Sequence, residues 1–524
     1  MLAKENKTFA FVLKPDNREV IHLMKIILVI IFSLLVPAIS LTAQTKPTVV
    51  IPDTPAGIQL KSWLRVFAAG DDQAFQRFIS EHYSKALLAE NDAAYRADRA
   101  ARTYLDTRGF NLRDIEKSTD NEIVVLAQSS LTDLWFRLTM KVETTAPHLI
   151  TEYTSQRIQP PAKSPVKKLS EKELVHEIKT FMDRLAAADA FSGTLLVAKD
   201  GKPIFKTVHG LASKAWNIPN RLDTKLNIAS VGKMFTAIAI AQLAEQGKLS
   251  FTDTVGKHLP DYPNKEVAQK VTIHHLLTHS SGLGDTYSAN YICHKGVLRQ
   301  VKDWLPLFVN DPKPLAFEPG ARWQYSNQGF ILLGAIIEKV SGENFFDYIH
   351  KHIFQPAGMV NTDYYEGDKD TPNLAMGYTN FEDLGEDNYQ FHLGERRNVS
   401  LYNGARGGPT GGLSSTLDDL WRFTLAFRGN KLVSAKMVDL LTSSKILARK
   451  YDANQTYWGY GFELENIDGK RVIGHGGGDF GISSGVRWYP DSGNYTIIVL
   501  SNYDRGGIIT IYKLEEMILQ QAKR

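Results

Sequence analysis

Leu60, Trp63, Leu64 and Phe67 recur at three- and four-residue intervals between Asp53-Thr54-Pro55 and Gly70. That spacing places them on one helical face, and it predicts a helix with an N-cap and a proline tolerated in its first turn. Asp71 predicts the cap of a second helix carrying Phe75, Phe78 and Ile79. An Arg- and Ala-rich stretch predicts a third over residues 93–107, closed by Gly109. The period then changes. Residues 123–127, 134–142 and 148–154 are rich in β-formers and separated by polar, turn-like clusters, which predicts antiparallel strands. Helices first and strands second is the order of a small α+β domain.

Pro160-Pro161, Pro165 and Lys167-Lys168 form a short Pro- and Lys-rich stretch with the composition of a semi-rigid linker. The expected organisation is therefore an accessory domain over 44–159, a linker over 160–169 and a second domain over 170–524. Ser170 and Glu173 have capping-box spacing, ahead of Leu174, Ile178, Phe181 and Leu185 on one face. Residues 193–198 and 203–208 read as strands joined at Asp200-Gly201, a dipeptide suited to a tight primed turn. Residues 234–246 are apolar nearly all round and stop at Gly247, so this helix has to be buried. Residues 363–399 are acidic, Tyr-rich and without clear period, either a loop region shaping a pocket or a surface insertion.

At the N-terminus, Met24-Lys25 precedes an apolar run over 26–39 and Leu41-Thr42-Ala43. This is the pattern of a secretory signal cleaved after Ala43, with Met24 as the working start and 1–23 as an upstream extension. The run is too short for a stable membrane span, so the mature chain is expected to be exported, periplasmic or secreted. Charge removes other classes. Lys plus Arg number 61 against 57 Asp plus Glu, with no dense basic block, so no nucleic-acid partner is expected. Cys293 is the one cysteine, which excludes an internal disulfide and a Cys-rich zinc site. His274, His275 and His279 cluster without an HExxH pattern, so no metal or other cofactor is expected.

Three short motifs carry the chemistry. Ser230 and Lys233 stand three apart at a helix start, where the amine can reach the hydroxyl; in a desolvated pocket its pKa would fall, making it a proton partner for a nucleophilic serine. Tyr325-Ser326-Asn327 precedes a second apolar helix. A phenol held near an ammonium can lose its proton more easily and act as a base, while the Asn327 amide can hold lysine and substrate. The third motif is Gly474-His475-Gly476-Gly477-Gly478 beside strand-like sequence. Glycines at a strand edge permit the close backbone approach that an oxyanion hole needs.

Ser230-x-x-Lys233, Tyr325-x-Asn327 and His475-x-Gly477, in that order, resemble the serine β-lactamase and penicillin-binding superfamily, specifically its class C-like branch. Leu276-Leu277-Thr278-His279-Ser280-Ser281-Gly282-Leu283, Pro356-Ala357-Gly358-Met359 and Gly411-Gly412-Leu413-Ser414-Ser415 resemble segments usual in that branch. The resemblance covers residues 170–524. It implies an α/β domain with an antiparallel sheet flanked by helices, preceded here by the small α+β domain, whose element order is similar to cystatin-like folds.

The resemblance also implies roles. Ser230 would be the acylated nucleophile, Lys233 its proton partner, Tyr325 the base and then leaving-group acid, and Asn327 their positioner. The backbone amides of Ser230 and Gly478 would form the oxyanion hole. His475 stands where β-lactamases carry lysine, so it would hold a substrate carboxylate less firmly and lower the case for efficient lactam hydrolysis. The implied substrate is a small molecule or peptide with an ester, D-amino-acid amide or lactam carbonyl. A true β-lactamase, a D-alanyl-D-alanine carboxypeptidase and an inactive binding protein of the same fold stay open.

Overall fold

The computed structural model describes residues 49–161, 168–285, 289–383, 389–400, 404–451 and 454–521. The expected export segment with Met24 and Ala43, and Pro165 and Lys167 of the expected linker, lie outside the described residues.

The chain from Pro55 folds as helices Pro55–Ala69, Asp72–His82, Lys85–Glu90 and Ala93–Thr107, then strands Phe110–Ser118, Glu122–Ser129, Trp135–Val142 and Ile150–Ile158. The strands pair in sequence order as an antiparallel meander. Local chemistry sets the helix starts. The Thr54 hydroxyl accepts the Gly57 N–H at 3.2 Å, and Asp71 accepts that of Ala74 at 3.0 Å, each satisfying a donor the helix leaves free. Trp63, Phe67, Phe75 and Phe78 then pack together as the aromatic centre of this core.

Three details differ from the sequence pattern. Helix Lys85–Glu90 buries no residue, so it left no hydrophobic period to read. Strand Phe110–Ser118 is an edge strand with no fully buried position, and its polar sequence hides it. The helix before it ends on Arg108, which takes the left-handed conformation at φ +52° and donates its N–H to Tyr104 O; Gly109 follows one residue later.

Beyond Ser170, whose capping box with Glu173 is formed, an eight-stranded antiparallel sheet organises the chain. Its order is Ile446–Tyr451, Asn454–Trp458, Glu463–Ile467, Lys470–Asp479, Ile482–Tyr489, Tyr495–Ser501, Gly193–Lys199 and Lys202–His209. The last two strands join at Asp200 (φ +48°) and Gly201 (φ +74°), the paired positive angles of a primed turn.

Both faces of this sheet are covered. Leu195 and Val197 pack with helices Glu171–Ala187 and Gly506–Gln521, while Leu196 and Ala198 pack with Lys233–Glu245, Asn327–Ser341 and Leu417–Arg428. That alternation explains why residues 195–198 read as a continuous apolar run. Of helix Lys233–Glu245, ten residues are buried, as its uniform apolarity requires. Among the described residues no helix is long and apolar enough to cross a membrane.

Candidate active site

Ser230 sits in a 3-10 turn, Ala229–Gly232, that leads into helix Lys233–Glu245. In 3-10 geometry residues three apart eclipse one another, which brings Lys233 over Ser230. Lys233 Nζ lies 3.2 Å from Ser230 Oγ. The turn is strained at Ala229, whose φ of +43° costs a residue with a Cβ about 1–2 kcal/mol. Neighbours enforce it. Ile228 N–H donates to Leu413 O at 2.9 Å and Ala229 N–H to Asn227 Oδ1 at 2.8 Å. Gly411 passes so close that a Cβ there would overlap the Ala229 carbonyl.

Lys233 is fully buried, and its amine donates to Asn327 Oδ1 and to Thr410 O, both at 2.7 Å. Burial pushes its pKa down to about 7, against the opposing pull of the Asp285 carboxylate. The two 2.7 Å partners can only accept. A neutral amine therefore commits both hydrogens to them and turns its lone pair toward the serine hydroxyl.

Asn327 is the first residue of helix Asn327–Ser341, which Ser326 caps by accepting the Gly329 N–H at 3.1 Å. Tyr325 is thereby fixed just outside the helix, its hydroxyl donating to Ser230 Oγ at 2.9 Å. The sequence suggested a phenol eased toward ionisation by the nearby ammonium. Desolvation acts the other way and is the larger effect: burial pushes the Tyr325 hydroxyl well above its ordinary range, so it remains a proton donor. The Asn327 amide is engaged within the protein at both ends, Oδ1 by Lys233 and Nδ2 by Asp285 Oδ1 at 2.9 Å.

His279 supports the tyrosine from behind. Its ring stacks on Tyr325 at 4.3 Å and its Nδ1 accepts the Ser326 N–H at 3.1 Å. The Trp458 ring meets Tyr325, His279 and His475 edge-on.

The glycine-rich motif lies inside one ten-residue strand, Lys470–Asp479, rather than in a turn. Pairing with Glu463–Ile467 ends at Gly474, while pairing with Ile482–Tyr489 continues to Asp479. Past Gly474 one strand edge is thus open, and the Ala229–Gly232 turn carrying Ser230 comes against it. A Cβ on Gly477 would overlap the Ile228 carbonyl oxygen and Ser484 Oγ, so only glycine permits the approach. Ser484 Oγ reinforces it by donating to Ile228 O at 2.8 Å.

Ser230 and Gly478 line one cavity of about 150 Å3, together with Asn227, Arg406, Asp479 and Phe480. Lys233, Tyr325, Asn327, His475 and Gly477 are not in its lining. His475 is 2% exposed, and its Nδ1–H donates to Gly476 O at 2.5 Å. Burial first, then the Lys233 charge, pushes its pKa down to about 4. An unperturbed histidine is partly charged near neutral pH, whereas the buried imidazole is neutral there.

The structure therefore gathers Ser230, Lys233, Tyr325 and Asn327 in one hydrogen-bonded group and sets Gly477 and Gly478 beside the Ala229–Gly232 turn. Sequence reasoning missed Thr410, Asp285 and Ser484 as partners of these residues. Thr410 lay in a Gly-dense stretch, 407–412, that hinted at close backbone approach; Asp285 and Ser484 carried no local signal.

The same stretch of chain is similar to several known proteins. The family model described as Beta-lactamase matches residues 177–508, more than half of the chain. Penicillin-binding protein 4* of Bacillus subtilis (strain 168) is 33% identical over 355 residues, spanning 66% of this chain and 74% of that protein. A penicillin binding protein from Bacillus halodurans superposes with a TM-score of 0.55 at 32% identity, covering 67% of this chain and 99% of its own. D-amino acid amidase from Ochrobactrum anthropi SV3, at 21% identity and a TM-score of 0.52, shares the fold over 67% of this chain and 98% of its own. With Ser230, Lys233 and Tyr325 hydrogen-bonded together inside the matched region, the chain belongs to the Beta-lactamase family and is a serine hydrolase.

Proposed function

We propose that this protein hydrolyses esters or D-amino-acid amides and peptides through an acyl-enzyme on Ser230. The observation that carries the reading is the convergence on Ser230 Oγ of Lys233 Nζ at 3.2 Å and the Tyr325 hydroxyl at 2.9 Å, with the lysine's other two partners restricted to accepting. In the first step the Ser230 proton passes to the neutral Lys233 amine as Oγ bonds to the substrate carbonyl carbon. The carbonyl oxygen becomes an oxyanion, received by the backbone amides of Ser230 and Gly478. Collapse breaks the bond to the leaving group, which takes a proton from Tyr325, and Lys233 restores the tyrosine's proton. Water then attacks the acyl carbonyl, gives a proton to the same relay and releases the acid, returning the hydrogen to Ser230.

His475 bears on the substrate class. A neutral imidazole behind the cavity wall supplies no cation where β-lactamases carry lysine, and although Arg406 lines the cavity, the missing lysine supports esters and amides ahead of carboxylate-bearing lactams and D-alanyl-D-alanine termini. The intact hydrogen-bonded trio argues against an inactive binding protein. The signal-like sequence over 24–43 supports export of the mature chain, and an aromatic core built mainly from residues before Pro160, which also takes in Phe391, supports an accessory domain packed against the rest of the chain.

The test is turnover by the protein and its Ser230→Ala variant on p-nitrophenyl acetate, D-phenylalanine amide and a chromogenic cephalosporin, with intact mass followed in parallel. Ester or amide turnover that falls on the order of 10⁶-fold in the variant is expected. Retained activity in Ser230→Ala, or cephalosporin turnover outrunning both other substrates, would sink the proposal.

A further inference from the structure

The cavity wall at Phe480 is tied to the N-terminal region. Phe480, which lines the cavity with Ser230, packs edge-on against Phe381 with ring centroids 5.1 Å apart. Phe381 belongs to a hairpin, Phe381–Asp383 paired with Tyr389–Phe391, within the irregular segment noted in the sequence. Phe391 is buried in the other region's core, and Phe381, partly buried, packs against it.

Helix Ala93–Thr107 grips the hairpin from that side. Asp98 Oδ1 accepts the Phe391 N–H at 2.6 Å, and Asp98 Oδ2 holds Arg102 Nε at 2.8 Å. The Arg102 guanidinium lies over both rings, 4.4 Å from the Phe391 centroid and 5.0 Å from that of Phe381. Asp72 Oδ2 accepts the Leu393 N–H at 3.1 Å.

A second attachment enters through adjacent residues of the catalytic region. Arg505 makes a two-pronged ion pair with Asp106, at 2.9 and 2.6 Å. Asp504, its neighbour, accepts the Gly481 N–H and the Asn380 N–H, both at 2.6 Å. One carboxylate thus pins the cavity turn and the root of the hairpin together. At that crossing Gly481, at φ +63°, runs so close to Gly377 and Tyr378 that a Cβ would overlap their backbone.

We infer that the N-terminal region is a brace that positions Phe480 through Phe381 and so sets the acyl size accepted at Ser230; this rests on the hydrolase reading above. Phe381 and Arg102 are positioning residues, since neither is among the residues lining the cavity. Phe480 held against Phe381 narrows the cavity. Released, it turns away and admits a longer acyl chain.

The experiment compares p-nitrophenyl hexanoate with the acetate, which share a leaving group, for the full protein and for Phe381→Ala, Arg102→Ala and Arg77→Ala. Arg102 is 31% exposed, so its removal tests the brace without opening a core, and Arg77, on the same region's surface, serves as control. In the first two variants the hexanoate-to-acetate ratio of kcat/KM is expected to rise about tenfold, the low end of what one pocket contact discriminates, and to stay unchanged in Arg77→Ala. A merely structural role scales both esters by the same active fraction and leaves the ratio alone. A ratio within about twofold of wild type, or one moving toward acetate, overturns the inference.

Hydrogen exchange gives a second arm that needs no turnover. Protection at 480–482 is expected to fall at least about tenfold in Arg102→Ala while Gly193–Lys199 keeps its protection; unchanged exchange at 480–482 overturns the brace. If wild type turns over neither ester, the Ser230 reading has failed and the exchange arm still decides the brace.

Discussion

Replacing Lys233 with methionine keeps most of the side-chain volume and removes a group that burial holds in an unusual state. The lysine's pKa in the folded protein is about 7 against an ordinary value of 10.5, the difference arising from desolvation. At about 1.36 kcal/mol per pH unit this is about 5 kcal/mol by which folding disfavours the charged amine. The sign follows from proton counting. Between pH 7 and 10.5 the unfolded chain binds a proton at this site that the folded chain does not, so stability rises with pH through that window. Below about 7 both states are protonated and the full penalty stands.

Relative to a neutral side chain, the penalty is about 5 kcal/mol at pH 6 and about 2 kcal/mol at pH 9. Methionine escapes it, yet leaves the acceptors Asn327 Oδ1 and Thr410 O without a donor, at about 1–3 kcal/mol each whatever the pH. The absolute difference between the two proteins therefore mixes opposing effects, and the change with pH isolates one. Urea unfolding of wild type and Lys233→Met at pH 6, 7.5 and 9 should show wild type gaining roughly 3 kcal/mol on the variant from the lowest pH to the highest. A gap constant to within about 0.5 kcal/mol, the scale of the extrapolation error, refutes a desolvated lysine. The kinetic counterpart is wild-type kcat/KM on p-nitrophenyl acetate, which should rise about tenfold per pH unit below about 7 and level off above it. A rise continuing to pH 10 would take the proton-accepting role away from Lys233.

His475 should stay neutral down to about pH 4, visible as imidazole resonances that do not titrate through pH 6. Its lowered pKa means that the unfolded chain binds the extra proton between about 6.5 and 4, so wild type should lose about 3 kcal/mol across that window relative to His475→Gln in paired urea titrations. Equal slopes for the two proteins would contradict the buried neutral assignment. Gly477→Ala places a methyl group on the Ile228 carbonyl and shifts the turn carrying Ser230; a displacement of about 1 Å predicts a loss of about 100-fold in ester kcat/KM, and wild-type turnover in that variant would show that the approach is not needed.

Much of the site was legible because each of its motifs is locally complete. Ser230 and Lys233 fall within one helical turn, and Tyr325 and Asn327 flank one N-cap, so spacing alone sets their relative directions. The fold was legible where burial leaves a period, as in the helix carrying Trp63 and Phe67. It was obscure where an element buries nothing, as in Lys85–Glu90, or stands at a sheet edge, as in Phe110–Ser118. Protonation states were harder to read. The sequence shows that lysine and tyrosine are neighbours, and proximity alone favours an ionised phenol; only burial of both reverses that preference.

The least legible part is the support joining distant segments. Lys233 takes one hydrogen-bond partner from position 327 and another from position 410, and Ser484 reaches back to Ile228. No periodicity links residues so far apart, because a backbone carbonyl or a lone hydroxyl has no side-chain signature of its partner. The same holds for the hairpin carrying Phe381 and Phe391. Their aromatic residues read as irregular because the surface they bury against lies in helix Ala93–Thr107, nearly 300 positions away at the Phe391 to Asp98 bond, whose separation is 293 residues. A segment without internal period can still be fully determined when its partner surface comes from elsewhere in the chain, and here that partner meets the wall of the cavity at Phe480. The placement predicts that insertions at the hairpin's root would alter substrate choice more than insertions in the exposed turn at Asp200-Gly201, which touches neither core.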